Sequence, residues 1–131
     1  MLITREYDYA LRVLRALSPG ERNTVGQICE MEHIPQPYAY KILKKLEKAS
    51  LVTPYRGVQG GYELSVDLSE VSLYDVYAAI EGPLYFNECM QEEYRCPNNE
   101  KGRRCAVHKE LSVMQNQFIE QMKTRRLADV L

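Results

Sequence analysis

With 131 residues, 45% of them hydrophobic and 27% charged, the chain is long enough for one packed core and too short for two comfortable ones. A formal net charge of -1 argues by itself neither for nor against a polyanionic partner. The N-terminus lacks a signal-peptide layout and no apolar run approaches membrane-spanning length, so the expectation is a cytoplasmic protein with reduced thiols and no membrane partner.

In chain order, Thr4 can cap a first helix whose Tyr7, Ala10, Leu11, Leu14 and Leu17 form an apolar stripe, ended by Ser18-Pro19-Gly20. Thr24 with Gln27 three residues on is a capping-box pattern opening a second helix, with Val25, Ile28 and Cys29 facing inward. His33-Ile34-Pro35-Gln36 reads as a turn, and Pro37 suits the first position of a third helix, where its missing N–H costs nothing.

On that third helix Ala39, Ile42, Leu43 and Leu46 fall at i, i+3, i+4 and i+7 and make one apolar face. Lys41, Lys44, Lys45 and Lys48 repeat the spacing on the opposite face. A strand follows at residues 51–56, then a tip, Gly57-Val58-Gln59-Gly60-Gly61, rich in residues able to take positive φ. Tyr62-Glu63-Leu64 returns. Helix, turn, helix and hairpin in this order predict a winged helix-turn-helix, mainly α with a small β-hairpin wing, whose third helix enters the major groove of double-stranded DNA.

The charge distribution agrees. Residues 35–62 carry five basic groups against one acid, a local +4, whereas residues 65–131 carry eight against eleven, a net -3. Gln36, Pro37, Tyr38, Tyr40, Lys41 and Lys44 lie at the end of the third helix that faces base edges. Lys45 and Lys48 suit phosphates, and Arg56, Gln59 and Gly60 form the wing contact. A nucleotide-cradling loop at the glycines is set aside, because no Gly-Lys-Ser/Thr occurs and the segment leads into a strand.

Ser72 with Asp75 again resembles a capping box, and Leu73, Val76, Tyr77 and Ile80 predict a short helix ended by Gly82-Pro83. From Asn87 to Lys109 the chain turns polar and holds Cys89, Cys96 and Cys105, with His108 after the last cysteine. A structureless stretch of this length is uncommon unless it has a job. Three clustered thiols and a histidine in a reduced compartment read as soft-metal ligands. Gaps of six and eight residues do not match the tight knuckles of structural zinc, which tilts the choice to an iron–sulfur cluster. A long helix over Val107–Leu127 carries Val107, Leu111, Met114, Phe118 and Met122 in a stripe, for which a second copy of the chain is the natural cover. The predicted organisation is therefore 1–82 for DNA binding, 83–106 for the cysteine loop, and 107–131 for a dimerisation helix and tail. A dimer implies a near-palindromic operator.

Three stretches together resemble the IscR/NsrR/CymR-type winged-helix repressors, the Rrf-type family: Met1-Leu2-Ile3-Thr4 with Tyr9-Ala10-Leu11-Arg12, the wing Arg56-Gly57-Val58-Gln59-Gly60-Gly61-Tyr62, and the cysteine loop before a long helix. The resemblance covers essentially the whole chain and implies a homodimeric bacterial regulator with, in many members, a cluster on the loop cysteines. It offers two fourth ligands: His108, placed as in the [2Fe-2S] assembly regulators, or Asp8, placed as in the [4Fe-4S] nitric-oxide sensors. The cysteine spacings are longer than in those subfamilies. Pro37, Tyr40 and Lys41 differ from the assembly regulator's recognition helix, so its operator does not carry over.

Two rival readings stand beside this one. One is a regulator of the same fold without a cluster, answering to zinc, a small molecule or a partner protein. The other is a small redox or electron-transfer protein, which has no use for the lysine face. With two histidines and no nucleophile–base pair, an enzyme is not expected.

Overall fold

The computed structural model describes residues 1–99 and 105–131. Its elements are α1 (Arg5–Leu17), α2 (Val25–Glu32), α3 (Gln36–Lys48), β1 (Val52–Tyr55), β2 (Gly61–Leu64), α4 (Leu73–Glu81), α5 (Ala106–Thr124) and α6 (Leu127–Val130), with short 3₁₀ turns at Glu88–Met90 and Pro97–Asn99. The helix starts form as the side chains dictate. Thr4 accepts the Tyr7 N–H at 3.2 Å. Thr24 and Gln27 exchange reciprocal bonds of 3.2 and 2.8 Å. Ser72 and Asp75 do the same at 3.2 and 2.8 Å.

α1 is the central helix and packs on α2, α3 and α4. Its Tyr7, Ala10, Leu14 and Leu17 are buried as the stripe predicts, with Val13 and Ala16 added. On α2 only Ile28 of the three expected residues is fully buried; Val25 and Cys29 sit half-buried at the core edge. The helix ends at His33, whose φ of 53° is the left-handed conformation of a C-cap. Pro37 stands at the second position of α3, one later than expected, where its N–H is equally dispensable. Glu32, at the end of α2, is 9% exposed and takes Arg15 Nε of α1 at 3.0 Å. Its partner lies seventeen residues upstream, beyond any local spacing signal.

A second polar tie sets the roll of α3. Glu6 of α1 receives the ammonium groups of both Lys41 and Lys45, the latter at 2.9 Å, and Lys45 Nζ also donates to the Ile80 carbonyl of α4 at 2.8 Å. Nearby, Tyr7 OH donates to the Leu73 carbonyl at 3.0 Å and its ring meets Tyr77 edge-on at 5.4 Å. Burial, with Tyr77 adding to it, pushes the Tyr7 hydroxyl up to about 12.

The hairpin pairs Val52 with Leu64 and Tyr55 with Gly61. β2 is also bridged on its other side, where Asn23 and Tyr62 exchange N–H···O bonds of 3.1 and 2.8 Å. Only glycine fits at 61: its φ is 138°, and a Cβ there would meet the Asn23 carbonyl oxygen at 2.6 Å.

The C-terminal region departs from the expected separate helix and tail. α5 stops at Thr124, and the chain then bonds back to the segment before α4: Leu73 N–H to the Arg125 carbonyl (3.0 Å), Leu127 N–H to Val71 (2.9 Å) and Ala128 N–H to Leu68 (3.1 Å). Leu127 is fully buried and belongs to the same hydrophobic core as α1 and α3. Met122, expected at a dimer interface, is 6% exposed within its own chain, because the C-terminal half of α5 docks on α4. Phe118 leans on Phe86 at 5.8 Å between ring centres.

Two outcomes follow from this packing. Leu127→Ala should lower unfolding stability by about 2–5 kcal/mol in denaturant titration, as a core truncation and not a tail edit. The Lys41 hydrogen bond, then that of Lys45, holds the Glu6 carboxyl below its usual 4.5. A carboxylate depressed in the folded state stabilises fully above its unfolded value, and that contribution is lost as pH falls from about 4.5 through the folded value. Glu6→Gln should therefore be less stable at neutral pH and lose less on acidification below pH 4.5, measured as melting temperature against pH.

Candidate nucleic-acid interface

The start of α3 is exposed from Gln36 to Tyr38, and Tyr38 and Tyr40 are 44% and 48% accessible although aromatic. Gln36 Nε2 reaches Tyr40 OH at 3.5 Å, while Tyr38 stands edge-on to Tyr9 of α1 at 5.7 Å. Both contacts leave one side of each ring open. Between α3 and the wing runs a groove of about 500 Å³ whose lining includes Tyr40, Glu47, Tyr55, Arg56 and Tyr62. Tyr40 of α3 and the wing arginine thus face one space. At its rim are groups that donate and accept hydrogen bonds and a cation, the kinds that read base edges and neutralise phosphates.

Two of the four lysines on this face make ion pairs within the chain. The tie to Glu6 takes up Lys41 and Lys45, and Lys45, only partly exposed, also caps the carbonyl end of α4. A helical wheel of α3 contains neither α1 nor α4, so it shows both ammonium groups facing water. Lys44, Lys48 and Arg56 are exposed and make no ion pair among the described residues.

At the wing tip Val58 is fully exposed, and Arg56 and Gln59 project beside it. Gly60 is enclosed by the turn: its N–H donates to the Gly57 carbonyl at 2.9 Å, and a Cβ would stand 2.9 Å from the Tyr55 and Gly57 oxygens. Gly60 therefore shapes the tip.

Sequence reasoning passed over Arg22. Its guanidinium lies over the Tyr55 ring at 3.5 Å from the centre, donates to the Gln59 carbonyl at 3.0 Å and pairs with Glu63 at 3.0 Å. Hydrogen bonds from Arg22 first and Tyr55 second hold the Glu63 carboxyl low. These partners are 37 and 41 residues away, so nothing in the local pattern marks them.

The expected cluster ligands are dispersed. Cys89 lies on the 3₁₀ turn that packs against α5, Cys96 just before the second turn, and Cys105 at the N-cap of α5; all three are half-buried. Among the described residues no group of three or more Cys, His, Asp or Glu stands close enough to hold a metal ion. Residues 100–104 of this loop lie outside the described residues. Asp8 is paired with Arg12 on α1 at 2.9 Å. His108 is different: its ring Nδ1 is buried and finds no hydrogen-bond partner among the described residues, a costly state for an imidazole nitrogen unless something binds it. An imidazole nitrogen and cysteine thiols are the donor types that hold an iron–sulfur group, although the described residues do not bring them together.

Comparison with known proteins bears on the arrangement as a whole. The chain is 28% identical to Protein aau3 of Rhizobium meliloti over its full length and 85% of that protein. It is 38% identical to slr0846 of Synechocystis sp., a candidate HTH-type transcriptional regulator, over 64% of this chain and 59% of that one. Among solved structures it superimposes on CymR, the global cysteine regulator of B. subtilis, with a TM-score of 0.77 at 20% identity, covering 99% and 95% of the two chains. IscR of T. potens gives 0.73 at 21% identity, covering 99% and 85%. No helix among the described residues is long and apolar enough to cross a membrane. A family model matches residues 3–131, and the chain belongs to the Rrf2 family, described as iron-dependent transcriptional regulators.

Proposed function

We propose that the protein is a homodimeric DNA-binding repressor, working in the cytoplasm on a near-palindromic operator. The observation that carries this reading is the groove shared by Tyr40 of α3 and the Arg56 wing, together with exposed Lys44 and Lys48 on α3, which make no ion pair among the described residues. In this reading Gln36, Pro37, Tyr38 and Tyr40 meet base edges, Lys44 and Lys48 meet phosphates, and Arg56 and Gln59 meet the minor groove or backbone. Lys41 and Lys45 hold α3 in place. The dimer rests on the front half of α5. There Val107 and Met114 are 65% and 55% exposed and Leu111 is half-buried, and half-buried Phe118 follows in the rear half. An apolar groove of about 280 Å³, lined by Ile3, Tyr7, Leu11, Phe118 and Met122 among others, continues that surface. A second copy covers it, and its symmetry places two recognition helices about one DNA turn apart.

The sensing element in this reading is the loop carrying Cys89, Cys96 and Cys105 with His108, and the buried His108 nitrogen, without a hydrogen-bond partner among the described residues, is its support. A bound [2Fe-2S] or [4Fe-4S] cluster would supply redox and nitric-oxide chemistry there. The chain's own part is to draw the loop thiols together at the start of α5. Operator occupancy then changes only by as much as the two states differ in their fit to DNA. The dispersed donors favour a second reading, a cluster-free regulator of the same fold that answers to zinc, a small molecule or a partner protein.

Selection from random-sequence DNA should enrich a near-palindromic duplex; enrichment of an asymmetric site, or of none, removes the dimeric operator reading. On the enriched duplex, Lys44→Ala and Lys48→Ala should each lower the slope of log affinity against log salt by about 1.8, because each removes one phosphate contact from both protomers. Lys45→Ala should leave that slope unchanged while lowering the melting temperature. Anaerobic reconstitution with iron and sulfide should yield a visible chromophore that Cys96→Ala abolishes. Colourless protein without bound iron transfers the sensing role to the second reading.

A further inference from the structure

A two-stranded hairpin is marginal by itself, and here the tip from Arg56 to Gln59 stands clear of the core, with Val58 fully exposed. Something outside the hairpin must hold its angle. The segment between α1 and α2 does so at two heights. Asn23 adds a bridge to β2 at Tyr62, one residue in from the tip end of the strand, and Arg22 reaches further out to the Gln59 carbonyl at the tip. The same guanidinium spans both strands, lying on Tyr55 of β1 and pairing with Glu63 of β2. Arg22 and Glu63 are 33% and 30% exposed in their side chains, so the pair is shielded on one side by the hairpin it grips.

We propose that Arg22 is the positioning residue of the wing: by clamping Tyr55, Gln59 and Glu63 it fixes where Arg56 meets DNA, without touching DNA itself. This rests on the reading of Arg56 as a DNA contact. Three contacts made at once need the planar fork of arginine. A lysine in its place keeps a cation for Glu63 but cannot also cover the Tyr55 ring and reach Gln59 with matched geometry. The cost of losing the clamp falls on the order of the tip, and a functional group held loosely contributes less than one held in place.

The test is a double-mutant cycle in equilibrium binding to the duplex enriched from random DNA by the unaltered protein. Arg22→Ala should weaken binding about tenfold, comparable to loss of one DNA contact. In an Arg56→Ala background the same change should cost about twofold or less, since the group it positions is already gone. Equal losses in both backgrounds, or no loss in the unaltered one, overturn the inference while leaving the wing reading in place. Full affinity of Arg56→Ala alone overturns the wing reading and the role of Arg22 with it. Thermal melts of each variant separate a loss of fold from a loss of positioning. Should Arg22→Ala fail to fold, Arg22→Lys runs the same cycle with a smaller first loss and the same non-additivity.

Discussion

The carboxylate of Glu6 sits where three helices meet, and the orientation of the recognition helix depends on it. Apolar burial of Ile42, Leu43 and Leu46 chooses which face of α3 turns inward, but a hydrophobic contact is non-directional and leaves the helix free to slide and roll slightly. Ion pairs with hydrogen-bond geometry are directional. Glu6 bonded to Lys41 and Lys45, with Lys45 also on the Ile80 carbonyl, sets α3 against α1 and α4 at one register. The consequence for the surface is a division of labour among chemically identical side chains. Of four lysines at helical spacing, two are paired with Glu6 and two make no ion pair among the described residues.

The wing obeys a similar economy. Its hairpin would gain little stability as an isolated pair of strands, yet β2 has neighbours on both sides because Asn23 supplies a bridge. The surface proposed to read DNA is therefore assembled from three separate stretches: the start of α3, the hairpin tip and the short segment between α1 and α2. Glycine at 61 is the requirement that lets the third stretch approach so closely.

α5 belongs to two regions at once. Its rear half, with Met122 buried and Phe118 against Phe86, is part of the chain's own core, and the segment that follows it is hydrogen-bonded to the residues before α4. Its front half begins at the cysteine loop and keeps apolar side chains in solvent. α4 in turn meets α3 through Lys45. The cysteine loop, the exposed apolar face and the recognition helix are thus joined by packed elements without a flexible linker among the described residues. Such contiguity is a material condition for one end to bias the other, provided the elements have two arrangements.

What the chain determined by itself was local. Caps at Thr4, Thr24 and Ser72, the stripes of α1, α3 and α4, and the glycine-rich tip each follow from interactions within about a turn of helix or a few residues of strand, so spacing alone reveals them. The helix–turn–helix–hairpin order and the resemblance built on it came from the same short-range signals. Tertiary structure alone decided the partners of charged groups and the fate of the last helix. Glu6 with Lys45, Arg15 with Glu32 and Arg22 with Glu63 join residues 17 to 41 positions apart. Whether Met122 faces its own core or a second copy turned on where α5 docks, which its stripe cannot say. A periodic pattern states that a face must be covered; only the packed chain states by what, because the cover is chosen by distance in space and not by distance along the sequence.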